Sequence, residues 1–157
     1  MGKTWSPKGQ TPTLPSKLTR DHLSVISAIS PEGELFLAVR ETAFDSDAII
    51  GFLDELHYQM RSPLVVVWDG AAIHRSQKIK HYLAHGAAKW LHLERLPGYA
   101  PELNPDEGIW HYLKQVEMKN LCCADQTELR TKLTEATQRV QAKPDIVKAC
   151  FKQTGYY

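Results

Sequence analysis

Two short blocks of this 157-residue chain carry side chains whose types and spacing suit phosphate chemistry. The first, VVVWDGAAIH at residues 65–74, is an apolar run that delivers Asp69 at its end. The second, YAPELNPDEGIWHYLK at 99–114, is a loop that breaks into a helix and sets Glu107 in the first turn. Two carboxylates on rigid elements are hard oxygen donors, and Mg2+ accepts such donors while keeping exchangeable waters. A cation held in this way can polarise a phosphate and activate its attacker. His74 and Arg75 stand at the mouth of the helix after Asp69, and Lys114 lies seven positions after Glu107, on one helical face. All three are candidates for positioning an anionic substrate.

Each of these residues also has a plainer reading. Asp69-Gly70 is a common turn pair. Glu107 sits three residues after Asn104, where a capping-box Glu would bond the cap's own N–H. Asp106 is placed to complement the helix dipole rather than to bind a ligand. A lone His such as His74 is more often structural, and Trp110 and Tyr112 read as core rather than as base-stacking residues.

The elements that must hold these residues follow from periodicity. HLSVISAIS (22–30) alternates and is β-branched, Pro31-Glu32-Gly33-Glu34 turns, and Leu35–Glu41 returns, which predicts an antiparallel hairpin. Asp45 or Ser46 caps a helix with the stripe Ile49, Phe52, Leu53, Leu56 and Met60, ended by Pro63. Leu64–Trp68 lacks polar alternation and predicts a central strand buried on both faces. A helix over 76–84 and a strand over 90–96 come next. Asn104-Pro105 then starts a helix with the stripe Ile109, Tyr112, Leu113 and Val116, and segments 126–142 and 144–153 are helical. The order predicts an α/β fold, a mixed sheet flanked by helices.

At 43% apolar the chain is one domain with enough residues for a real core. The net charge of +1 hides an asymmetry: residues 31–60 hold seven acids and one base, whereas 61–100 hold six Lys/Arg and two acids. This is either two solvated faces of opposite sign or a basic track along a phosphate backbone. Cys122, Cys123 and Cys150 lack zinc-ligand spacing and suit reduced thiols in the cytoplasm. No apolar run approaches the roughly 20 residues of a membrane span, and MGKTWSPKGQ is no signal peptide.

Together the two blocks resemble a known family. WDGAAIHRS followed by LPGYAPELNPDEGIWHYLK is similar to the Asp-Asn-x-x-x-His and Tyr-Ser-Pro-x-Leu-Asn-Pro-x-Glu-x-x-Trp signatures of DDE transposases, in the bacterial insertion-sequence branch of the mariner-like group. TWSPKGQTP (4–12) and the hairpin after it resemble that group too, so the likeness covers essentially the whole chain. It implies a ribonuclease H-like fold, with Asp69 as second and Glu107 as third catalytic carboxylate. It further implies metal-dependent cleavage and strand transfer of DNA, with Mg2+ (Mn2+ as substitute) as cofactor. The implied partners are transposon ends and target DNA, and the implied location is the cytoplasm, at the nucleoid when DNA is bound.

Three departures shape the expectation. Gly70 replaces the family's Asn and Ala100 its Ser, and neither change removes a ligand. The family's first Asp lies on a strand just upstream of the TWSPKGQTP segment, whereas Met1 is only four residues before Trp5. Neither Asp21 nor Asp45 is a convincing replacement. Residues 1–157 therefore read as the C-terminal part of the catalytic domain, without the first strand and the helix-turn-helix DNA-binding region. The expectations are open edges along 22–30 and 64–68, self-association or pairing with an N-terminal transposase segment, and no activity from this chain alone. The alternative is an inactive remnant that binds DNA or an intact transposase.

Overall fold

Alternating small and β-branched residues form β1 (Ser24–Ile29), which pairs antiparallel with β2 (Leu35–Arg40) from Ser24↔Arg40 to Ile29↔Leu35. The computed structural model describes residues 7–9, 22–69, 76–98 and 100–156, and the fold is built from these. The hairpin closes through Ser30, whose N–H donates to Glu34 O at 3.0 Å, and through Gly33 at φ 100°. A Cβ on Gly33 would also lie 2.7 Å from Pro144 Cβ, so the turn is glycine for two independent reasons.

The hairpin's two faces serve two cores. Ile26, Ala28 and Phe36 pack toward α1 (Ser46–Met60) and α2 (Gln77–Ala84), around Ile49, Leu53, Leu56, Ile79 and Leu91. Ile29, Leu35 and Leu37 pack against α3 (Pro105–Tyr112), α4 (Gln126–Gln141) and α5 (Pro144–Gln153), around Ile109, Leu113, Val140 and Val147. Asp45 caps α1 by accepting from the Ala48 N–H at 2.9 Å, as its sequence position suggests. The helix ends at Arg61, in the left-handed region at φ 52°, two residues before the expected breaker Pro63. Tyr82 Oη–H donates to Asp54, and Lys78 pairs with Asp47, which ties α2 to α1. The His57 ring stacks on Trp90 with centroids 4.0 Å apart.

β3 (Leu64–Trp68) runs parallel to β4 (Leu91–Arg95), in register from Leu64↔Leu91 to Trp68↔Arg95. Among the described residues the strands form two ribbons, antiparallel β1–β2 and parallel β3–β4. One expectation is corrected here: β3 is not buried on both faces, because Val65 is 70% and Val67 50% exposed. In the parallel register these valines share a face with His92 and Glu94, while Leu64, Val66, Leu91 and Leu93 join the α1–α2 core. An apolar run with no polar alternation concealed this one-sided burial.

The helix that starts at Pro105 continues beyond α3 as a π-helical turn, Leu113–Glu117. A π turn inserts one residue per turn and rotates the positions after it around the helix axis. Val116, predicted to lie on the buried stripe, is therefore 55% exposed, and Met118 packs on the core instead. Among the described residues no helix is long and apolar enough to cross a membrane.

α3 and α5 approach closely at Gly108, where a Cβ would lie 2.8 Å from Cys150 Sγ and 3.2 Å from Cys150 Cβ. Gly108→Ala is expected to cost about 1–3 kcal/mol by overpacking. In a Cys150→Ala background the loss should be smaller, as measured by urea unfolding. Equal losses in both backgrounds would show that this approach does not set the cost.

Candidate functional site

Parallel strands end on the same side of a sheet, and residues just beyond those ends commonly form ligand sites in α/β folds. Asp69 is the first residue after β3 and is exposed. β4 leads out beside it, since the Leu96 N–H still donates to Trp68 O at 2.9 Å. The chain then passes a 3-10 turn, Pro101–Leu103, to Asn104, which caps α3 through its side chain on the Asp106 N–H at 3.2 Å. Pro105 supplies the fixed φ of a first helical position. Glu107 follows in the first turn, also exposed.

A capping-box role for Glu107 has no support in this geometry. The Asn104 N–H that such a box would use donates instead to Pro101 O at 3.0 Å. Among the described residues no hydrogen bond or ion pair engages the Glu107 carboxylate.

The anchoring of this turn falls to Asp106. Its Oδ2 accepts from Ser27 Oγ at 2.7 Å and from Trp110 Nε1 at 3.0 Å, so one carboxylate joins β1 to the first turn of α3. Oδ1 is buried without a hydrogen-bond partner. Trp110 in turn carries the Lys114 ammonium 5.5 Å from its ring centroid. Lys114 is exposed and also borders a cavity of about 350 Å3 with Met118, Leu121 and Leu129. His74, Arg75 and Asp21 lie outside the described residues. Among the described residues no group of three or more His, Cys, Asp or Glu side chains is placed to hold a metal ion.

The Asp106 linkage was missed in the sequence, where this residue read as a dipole partner. Two signals were present: a serine inside the apolar strand SVISAI, and an Asp–Trp pair at helical i,i+4 spacing.

The family model of the DDE superfamily endonuclease matches residues 1–130. The chain belongs to that family. No curated relative matches this DDE domain in sequence. Its fold is that of two solved structures, the Mos1 strand transfer complex and the Mos1 mariner paired end complex with Mn. The first superimposes with a TM-score of 0.60 at 14% identity, covering 99% of this chain and 50% of that one. The second gives 0.62 at 12%, covering 99% and 51%. The fold is thus ribonuclease H-like, and the DDE domain spans about half the length of those chains.

Within the DDE domain, burial pushes the Asp106 carboxyl above the usual carboxylate range, and the neighbouring Glu107 charge adds to this. The bonds from Ser27 and Trp110 act in the opposite sense. A carboxyl whose folded value is raised stabilises the fold fully below its unfolded value. That contribution is lost as pH rises through the folded value. Asp106→Asn cannot ionise but still offers Ser27 and Trp110 an oxygen. Its stability relative to the parent should therefore rise from pH 4 to pH 7 in paired thermal melts. A pH-independent difference would show that the Asp106 environment does not favour the protonated form.

Proposed function

We propose that this chain is part of a transposase catalytic domain that cleaves DNA at the ends of a mobile element and joins the freed 3′ end to target DNA. The observation that carries the reading is a Glu107 left uncommitted by the α3 cap, in a chain that also sets Asp69 at the end of β3. Family membership and the ribonuclease H-like fold support it. Asp69 and Glu107 are the residues that would hold a divalent cation, Mg2+ or in its place Mn2+, and both are hard oxygen donors that fit such an ion. When bound, the cation would lower the cost of deprotonating the attacking water or 3′-hydroxyl and offset charge on the phosphate. His74, Arg75 and Lys114 would neutralise and orient the DNA backbone. The reading places the protein in the cytoplasm, at the nucleoid when DNA is bound. DNA and a second transposase chain would be its partners.

A second reading rests on the absence of any three-residue metal cluster among the described residues. Two carboxylates give only part of the negative charge that a pair of metal ions requires. The 157 residues alone would then be silent, as a remnant that binds DNA or an intact transposase, or as a piece completed by an upstream strand carrying another Asp. In that completed form the β1–β2 and β3–β4 ribbons would be two parts of one sheet.

Manganese titration followed by electron paramagnetic resonance tests the site. Weak binding of one ion is expected, reduced at least tenfold by Asp69→Asn or by Glu107→Gln. Retained binding in both variants would remove the metal assignment. On labelled element-end DNA the 157-residue chain is expected to be inactive with Mg2+ or Mn2+. A chain extended upstream should cleave, and either substitution should lower that rate by about 10²–10³ or more. Nicking by the 157-residue chain that disappears with Asp21→Asn or Asp45→Asn would assign the first carboxylate to that residue.

A further inference from the structure

The acid-rich stretch 31–60 has no role in the DNA reading, yet it surrounds an open strand edge. Among the described residues β2 pairs only with β1. Its other edge forms one side of a groove of about 450 Å3, between α1 and the corner where α4 meets α5. Phe36, Phe52 and Leu56 give this groove an apolar lining. Glu32, Glu34 and Glu55 supply its charge, and no Lys or Arg lines it.

The backbone along this edge is set for pairing. Ser30 and Glu34 form a hydrogen-bonded pair, so strict antiparallel alternation makes Ala28/Phe36 and Ile26/Ala38 bonded pairs as well. The N–H and C=O groups of Leu37, which lines the groove, and of Val39 beyond it therefore point away from β1. The neighbouring outward carbonyl, Leu35 O, is already taken by the Gln141 side-chain amide at 2.8 Å. This bond limits the pairing register at the turn end of β2.

We propose that the β2 edge is a docking site for an extended, basic polypeptide segment of a partner protein, which adds to β2 as a further strand. Backbone bonds to Leu37 and Val39 give the affinity, and Lys or Arg at alternate positions meet Glu32, Glu34 and Glu55. Charge decides between this occupant and a second copy of the chain. An edge-to-edge pairing of two β2 strands would bring two sets of these acids together, and like-charge juxtaposition opposes such a contact.

The test uses the full chain and a fluorescent peptide, acetyl-(Lys-Val)3-Lys-amide, at 50 mM salt. Binding by anisotropy is expected, weakening at 300 mM salt, with hydrogen-exchange protection appearing at the Leu37 and Val39 amides. The same peptide with N-methylated amides keeps its charge but cannot pair, and should bind at least tenfold more weakly. A protein carrying Glu32→Lys and Glu55→Lys, both at exposed positions, should lose affinity at least tenfold and gain it for the Glu-Val counterpart. Several results would overturn the proposal. One is absence of binding; others are equal binding of the methylated peptide, or binding without protection at Leu37 and Val39. Concentration-dependent dimers that protect these amides without peptide would assign the edge to a second copy.

Discussion

A two-stranded hairpin by itself is at best marginally stable in water, so β1–β2 must be held by what covers its faces. Here both faces are apolar and each belongs to a different core: Ile26, Ala28 and Phe36 to one, Ile29, Leu35 and Leu37 to the other. The hairpin is thereby the layer through which the α1–α2 side and the α3–α5 side share a reference frame. Ser27 lies on the α3 side of β1 and is the point where that frame reaches the candidate site. A buried hydrogen bond is costly to leave unmade, so the Ser27–Asp106 contact also selects one seating of α3 on the hairpin.

Element identities were legible because the signals were local. Asn104-Pro105 marks a helix start whatever surrounds it, and two β-rich runs flanking the turn at 31–34 mark an antiparallel strand pair. What the sequence hid was tertiary. The apolar run LVVVW gives no sign that only alternate residues find a helix to pack on, so the exposure of Val65 and Val67 could not be read from it. The π turn was equally hidden, since Leu113–Glu117 has an ordinary helical composition. Of the site, Asp69 and Glu107 were visible as motif residues, whereas Asp106 owes its importance to a serine 79 positions away.

Adjacent carboxylates at 106 and 107 divide the work of this turn. One turns inward, loses water and accepts from two donors, with burial raising its carboxyl above the usual range; the other stays exposed. Successive residues on a helix point about 100° apart, which lets one turn carry both an anchor and a reactive group. The anchor restricts motion of the backbone that bears Glu107, without any contact to the Glu107 side chain itself.

The π turn divides the long helix into two segments with different angular settings. Ile109 and Leu113 face the hairpin core, while Glu117, beyond the extra residue, is held by Arg139 and Lys143 near the α4–α5 corner. In a continuous α-helix, any repacking at the far end would twist the near end through the rigid hydrogen-bond ladder. An inserted residue gives the ladder slack in torsion. Sequence drift along α4 can then be absorbed at Leu113–Glu117, leaving the orientation of the Glu107 turn where the hairpin sets it.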